Sequence, residues 1–237
     1  MIRAHFQFKE TITTILAEEQ AWIEVAKEAM ITARQDLERY IARDPFFQMT
    51  LEPYTPDHGP SIAERMAGAA GGAGVGPMAA VAGTIAAIGV GAMARAGAAF
   101  GVIDNGGDIA LITDRPLRIG IYAGTSPISG KVAFVLPPQP AVYGVCTSSA
   151  TVGPSLSFGV ADAVTVFASD PSVADAWATA LCNQVRPGVS TAFDSLAGSG
   201  VDGAVAILGG EVQRWGSVPP MVSATVDENL ITAGELY

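Results

Sequence analysis

The chain has 237 residues, 23 acidic against 13 basic, a net charge of −10 and a pI near 4.5; that length buries a substantial core as one large domain or two small ones. The acidic balance, with no basic cluster to neutralise phosphates, excludes nucleic acid as an expected partner. Cys146 and Cys182 form no C-x-x-C motif or zinc-type spacing, and the start Met-Ile-Arg-Ala-His has no signal-peptide pattern, so a reduced, cytoplasmic protein is expected, neither secreted nor lipid-anchored.

Ala4 to Phe8 and Thr11 to Leu16 are β-prone runs on either side of Lys9-Glu10, which predicts an opening pair of strands. A long amphipathic helix follows, with Ile23, Ala26, Met30, Ala33, Leu37 and Ile41 at three- and four-residue steps, and Asp44-Pro45 stops it. Pro53, Pro56 and Pro60 make 46–60 a loop. Ser61-Ile62-Ala63-Glu64 has the form of a capping box and predicts a short helix, which Gly71-Gly72-Ala73-Gly74-Val75-Gly76 breaks. Pro77 opens the next helix at its first position, with Met78, Val81, Ile85 and Ile88 as its core stripe. From Met66 to Ile103 the only charge is Arg95, so a membrane span is the competing reading; the Ala/Gly-rich content, Pro77 and the absence of a basic flank or aromatic belt favour a closely packed buried helix instead, and no membrane partner is expected.

After Gly97 the period becomes two. Phe100 to Asp104, Asp108 to Thr113 and Leu117 to Tyr122 predict three strands, and a Pro/Gly/Ser linker from Gly124 to Gly130 separates two halves. Lys131 to Leu136 and Ala141 to Cys146 predict another strand pair, followed by a Ser/Thr/Gly loop from Thr147 to Gly159 and a strand over Ala163 to Ala168. Asp170-Pro171 caps a helix reaching about Val185, a shorter helix lies near Thr191 to Leu196, and Ala204 to Leu208 turns at Gly209-Gly210 into Val212 to Trp215. Strands, helices, strands in each half imply an α+β fold: a tandem duplication of an antiparallel-sheet unit with helices packed on one face, the pseudo-repeats spanning about 1–123 and 131–216 ahead of a C-terminal tail.

Four groups of residues and one cysteine are candidates for chemistry. Asp175 and Thr179 stand four apart on a helix, so their oxygens project from one face; hard oxygen ligands suit Mg2+ or Ca2+, while the structural alternative has Asp175 favouring a helix start and Thr179 bonding back to a carbonyl. Asn105-Gly106-Gly107-Asp108 is either a plain hairpin turn or a place where backbone approaches a ligand beside a carboxylate. The run containing Gly74 and Gly76, leading into Pro77-Met78, presents backbone amides at a helix N-terminus, an anion site or a close-packing device. Thr147, Ser148 and Ser149, with Thr151, Ser155 and Ser157 behind them, supply hydroxyls for a phosphate or form a surface loop. Cys146, ending an apolar strand, is a speculative nucleophile against the alternative of inert core.

In chain order these segments resemble the ApbE flavin transferases, and more closely their compact, uncharacterised ApbE-like relatives. The resemblance rests on Gly74-Val-Gly-Pro-Met-Ala-Ala-Val-Ala-Gly83, Asn105-Gly106-Gly107-Asp108-Ile109, Arg118-Ile119-Gly120-Ile121, Thr147-Ser-Ser-Ala-Thr-Val-Gly153, Ser155-Leu-Ser-Phe-Gly159, Ala163-Val164-Thr165-Val166 and Ala174 to Leu181. It implies a T-fold-like architecture forming a single ApbE-like domain over 1–237, Mg2+ at Asp175 and Thr179, and a flavin nucleotide bordering the Gly-Gly-Asp segment, with FMN moved from FAD onto a protein threonine. The family's Gly-x-Ala-Lys-Gly lysine has no counterpart near Met78 to Gly83, and its His-x-x-Asp-Pro-x-Thr-Gly segment is replaced around Ser155 to Asp162. The closer relatives imply a different role: a small-metabolite-binding enzyme or enzyme component in sulfide assimilation to homocysteine. A protein partner in sulfur transfer and a homo-oligomeric state are further expectations, and Cys146 is a speculative sulfur relay on the sole ground of its position beside the Thr147–Ser149 loop. Flavin transfer and a noncatalytic ligand-binding or scaffold role are the alternatives. A small anionic metabolite or nucleotide is the ligand class common to these readings.

Overall fold

The computed structural model describes residues 1–152, 159–189, 191–227 and 232. Its centre is an eight-stranded, wholly antiparallel sheet in the order β1-β2-β3-β4-β7-β8-β9-β10, from β1 (Ile2–Phe8), β2 (Thr11–Ala17), β3 (Gly101–Asn105), β4 (Asp108–Thr113), β7 (Gln139–Ser148), β8 (Ala163–Ala168), β9 (Val201–Leu208) and β10 (Glu211–Gly216). Each group of four follows hairpin, helices, hairpin, and the two groups join where β4 pairs with β7, Asp108 opposite Cys146. The fold is therefore α+β, with antiparallel sheets and the helices on one face of the large sheet.

The strands alternate as period-two segments must. Ile15, Ile103, Ala110, Cys146, Val164, Val166 and Ala204 belong to a core beneath the helices, while Val102, Leu111, Val145, Phe167, Val205 and Ile207 belong to a second core on the opposite face. Helix α1 (Gln20–Arg43) buries the predicted stripe from Ile23 to Leu37 and adds Tyr40. Asp44 ends it, and the Tyr40 and Tyr54 hydroxyls both donate to the Asp44 carboxylate at 2.9 Å. Helices α3 (Ser61–Ala73), α4 (Val81–Arg95) and α5 (Pro171–Gln184) complete the layer. Pro77–Arg95, a 3-10 turn at Pro77–Ala80 running into α4, is apolar and long enough by composition to cross a membrane, yet most of it is buried within the protein.

Several expectations change. Residues 46–60 are not all loop, because Phe46–Met49 forms a short helix, α2, whose Phe47 is fully buried. The capping box does not form: Ser61 is already the first helical residue, Pro60 takes the cap position and accepts the Glu64 amide through its carbonyl. Gly71 and Gly72 stay helical, and α3 ends at Gly74, whose left-handed backbone (φ 72°) is the ordinary glycine stop. The run at Leu117 does not extend the main sheet. β5 (Leu117–Gly120) pairs with β6 (Val132–Leu136), and β11 (Met221–Ser223) pairs with the other edge of β6, giving a separate three-stranded sheet. Consequently β6 and β7 are not partners, and β7 bonds β4 and β8 instead. The small sheet covers the second core, where Phe134 of β6 meets Phe167 of β8 edge-on at 4.9 Å between ring centres.

Candidate functional site

The first turn of α4, the β3–β4 turn, the end of β7 and the first turns of α5 meet on the helix side of the sheet. Pro171 makes the meeting close. A Cβ on Gly83 would stand 2.5 Å from the Pro171 carbonyl oxygen and 2.8 Å from Asp175 Cβ, and a Cβ on Gly144 of β7 would stand 2.5 Å from Pro171 Cα. Two side-chain-free backbones thus let the α5 N-terminus sit between a helix and a strand. Asp170 caps α5 by accepting the Ser172 amide at 2.8 Å, and Arg65 of α3 holds the same carboxylate at 2.7 Å.

Asp175 lies one turn into α5, 6 % exposed. Its Oδ2 accepts the Gly83 amide at 2.8 Å, and the Ala82 amide also faces its carboxylate. The acceptor at this helix start is therefore the chain's own carboxyl group, placed against the positive end of α4. The β3–β4 turn docks alongside, with Asn105 Nδ2 donating to the Ala82 carbonyl at 3.1 Å. Gly106 and Gly107 take the positive φ that the turn requires (70° and 104°), the Gly107 amide bonds Asp104 Oδ1 at 2.8 Å, and the Gly107 carbonyl accepts the Thr147 amide at 3.1 Å. Asp108 opens β4 with its carboxyl turned inward against the Cys146 thiol and the Thr147 amide.

Electrostatics follow from that crowding. Burial pushes the Asp175 carboxyl up to about 7, partly offset by the amides of Gly83 and Ala82. Burial also drives Asp108 well above the usual carboxylate range, and the nearby negative charges of Asp175 and Asp104 add to it. Among the described residues, Thr84 Oγ1 in the first turn of α4 is buried without a hydrogen-bond partner, while the buried Ser172 hydroxyl in the first turn of α5 helps hold the Asp170 carboxyl low. Thr179, a turn beyond Asp175, is half-buried.

The predicted residues divide accordingly. Asn105, Gly106, Gly107, Asp108, Cys146, Thr147 and Asp175 converge. Gly74 and Gly76 serve the chain itself: Gly74 stops α3, and a Cβ on Gly76 would lie 2.0 Å from the Thr50 carbonyl oxygen. The amides expected to bind an anion ahead of Pro77 and Met78 are displaced by the intervening 3-10 turn, where the Ala79 amide bonds the Gly76 carbonyl; the ones in use are those of Ala82 and Gly83. Of the hydroxyls, Thr147 Oγ1 pairs with Thr165 Oγ1 at 2.9 Å, and Ser149 Oγ accepts the Thr151 and Val152 amides, while Ser148 is half-buried. Ser155 and Ser157 lie outside the described residues. Cys146 is fully buried, with its thiol on the Pro171 carbonyl at 3.4 Å and its acidity suppressed by burial and by Asp108 and Asp175. A buried thiol held protonated this way is a poor nucleophile, which counts against the sulfur-relay expectation. Asp104 joins the converging residues without a distinctive motif; its one sequence signal is a carboxylate three residues before a glycine, the spacing of a side chain that bonds its own turn.

Among the described residues no group of three or more His, Cys, Asp or Glu side chains is placed to hold a metal. The oxygen donors Asp175, Thr179 and Asp108 suit Mg2+ in kind, since that ion keeps several waters and takes one or two protein carboxylates together with ligand phosphates. Two carboxylates in one buried region, each resisting ionisation, are also a setting that a divalent cation would relieve.

Comparison with known proteins extends this picture. A UPF0280 protein of Methanoculleus marisnigri is 59% identical over 99% of this chain and 96% of its own length, and one of Methanococcoides burtonii is 48% identical over 98% and 100%. Their names state no activity, and nothing found here supports the sulfide-assimilation role. Among solved structures, the flavinyl transferase ApbE of Pseudomonas stutzeri in its apo form aligns with a TM-score of 0.60 at 14% identity, covering 98% of this chain and 97% of that one. The ApbE protein of Thermotoga maritima aligns at 0.53 and 14% identity over 90% and 97%. These likenesses establish a shared fold. A family model described as AbpE bacteria matches residues 2–213, and this chain therefore belongs to that family.

Proposed function

We propose that this protein binds a flavin dinucleotide with Mg2+ beside the α4 N-terminus and the Asn105–Asp108 turn, and acts as a flavin transferase. What carries the reading is the meeting of Asp175, Asp108 and the Gly106-Gly107 turn at one helix start, within a fold that ApbE flavin transferases share along its length. Asp175 and Thr179, with Asp108 nearby, would hold the cation, which when bound offsets phosphate charge. Gly106 and Gly107 carry no side chain, so a flat or phosphorylated group can lie against their backbone. Asn105 fixes the turn to α4 through the Ala82 carbonyl, so the turn and the carboxylates keep their relative positions. In the transfer itself, the bond between the two phosphates of FAD breaks. An acceptor hydroxyl bonds the FMN phosphorus and loses its proton, and AMP leaves.

The test is purified protein with FAD, with and without Mg2+, read by quenching of flavin fluorescence and by chromatography of released AMP in the presence of a threonine-containing acceptor protein. Mg2+-dependent binding and AMP release are expected, with Asp175→Asn losing at least about tenfold in affinity, the scale of one charge-assisted interaction. Absence of both binding and AMP would overturn the assignment, and binding without AMP would leave a noncatalytic flavin-binding protein.

A further inference from the structure

Thr232 is 6 % exposed, although it lies well beyond residue 213, where the family match ends. Its hydroxyl donates to Asp104 Oδ2 at 2.6 Å and lies 2.8 Å from Thr14 Oγ1, which in turn is 3.1 Å from His5 Nδ1. A hydroxyl has one proton to give. Of the two acceptors placed for that proton, Thr14 Oγ1 and Asp104 Oδ2, the carboxylate is the nearer and the stronger, so the proton goes to Asp104, and imidazole, two hydroxyls and carboxylate form one continuous chain of contacts. It starts at an exposed residue of edge strand β1, crosses β2 and ends at β3.

The carboxylate at its end is the one that shapes the turn. Asp104 uses its other oxygen for the Gly107 amide, and Gly107 in turn accepts the Thr147 amide, so the orientation of one side chain sets where the β3–β4 turn meets the end of β7. Sequence distance makes the contact informative: Thr232 is 128 residues from Asp104 and 218 from Thr14, so nothing local brings them together.

We propose that Thr232 is a positioning residue for the Asn105–Asp108 turn, holding Asp104 in the rotamer that fixes the Gly107 amide and so linking residue 232 to the candidate site. The consequence for ligand binding rests on the flavin reading above; the consequence for the turn does not.

The experiment is amide hydrogen exchange on the full unliganded chain, comparing wild type, Thr232→Val and Thr232→Ser, with a chain ending at Asp227 as a second route that sets no methyl against Asp104. Loss of a hydrogen bond to a carboxylate predicts exchange at the Gly107 amide faster by about tenfold or more in Thr232→Val and in the shortened chain. The central β8 amide of Phe167 should be unchanged, and Thr232→Ser should stay within about twofold of wild type, since it keeps the hydroxyl that makes the bond. Unaltered Gly107 exchange in both the valine and shortened forms, or equal acceleration at Phe167 in both, would overturn the proposal. FAD affinity with Mg2+, measured on the same proteins, should fall in parallel with Gly107 protection. A wild-type protein that binds no FAD refutes the flavin reading and leaves the exchange result to decide the role of Thr232.

Discussion

Asp175 concentrates the chemistry of the site in one side chain, because it is both a helix cap and a buried acid. An aspartate whose carboxyl rises to about 7 in the folded chain from an ordinary 3.8 binds its proton more tightly folded than unfolded. Its contribution to stability is complete below about pH 4 and is lost as pH rises toward about 7, and Asp108, shifted in the same direction, steepens that fall. Asp114 and Asp170, held low by Arg115 and Arg65, contribute in the opposite sense, so the informative quantity is the difference between wild type and Asp175→Asn. Urea midpoints measured from pH 4.5 to 7.5 should show the stability of Asp175→Asn gaining on that of wild type across the window. Parallel curves for the two proteins would mean that Asp175 is not a buried acid in solution.

At the scale of elements, the site exists because α4 and α5 approach closely, and Gly83 sets the distance. An added methyl at that position meets the Pro171 carbonyl, which is backbone and cannot rotate away. Gly83→Ala should therefore destabilise the fold by about 1–3 kcal/mol through overpacking, despite alanine's better helix propensity, and should separate the Gly83 amide from Asp175. The reverse result, a gain in stability of the size expected from propensity alone, would show that the two helices have room to move. Gly89 of the same helix, where a Cβ would meet the Ile103 and Met30 side chains, offers a useful contrast because those neighbours can rearrange.

Over the whole molecule, the two four-stranded groups share one sheet and one helix-side core, in which Ile15 and Ile103 from the first group lie with Val164 and Ala204 from the second. We propose that the halves near 1–123 and 131–216 are pseudo-repeats that do not fold apart, since separation would expose the β4 and β7 edges, part β5 from β6 and divide the second core. Each fragment expressed alone should give a non-cooperative thermal transition by circular dichroism, and mixing the two should restore a cooperative one. A single fragment that melts cooperatively as a monomer would refute this.

Much of the architecture was legible along the chain because its signals are local. The three- and four-residue steps of α1, the Lys9-Glu10 and Gly209-Gly210 hairpins and the Asp170-Pro171 helix start depend on neighbours in sequence, and each lies where expected. Strand partners were not legible, because period-two alternation reports which residues share a face and says nothing about which edge a strand joins; hence Leu117–Gly120 and Val132–Leu136 left the main sheet for a second one. The same limit governs the site. Local order along the chain fixes an acid and a hydroxyl on one helix face, a glycine turn ending in Asp108 and a cysteine at a strand end. That Asp175 caps a different helix, that Cys146 is sealed beneath Pro171 and that Thr232 reaches back to Asp104 emerges only when the chain is folded. Each of those contacts spans at least 25 residues, and the chain closes such distances only when burial of a common core draws its segments together.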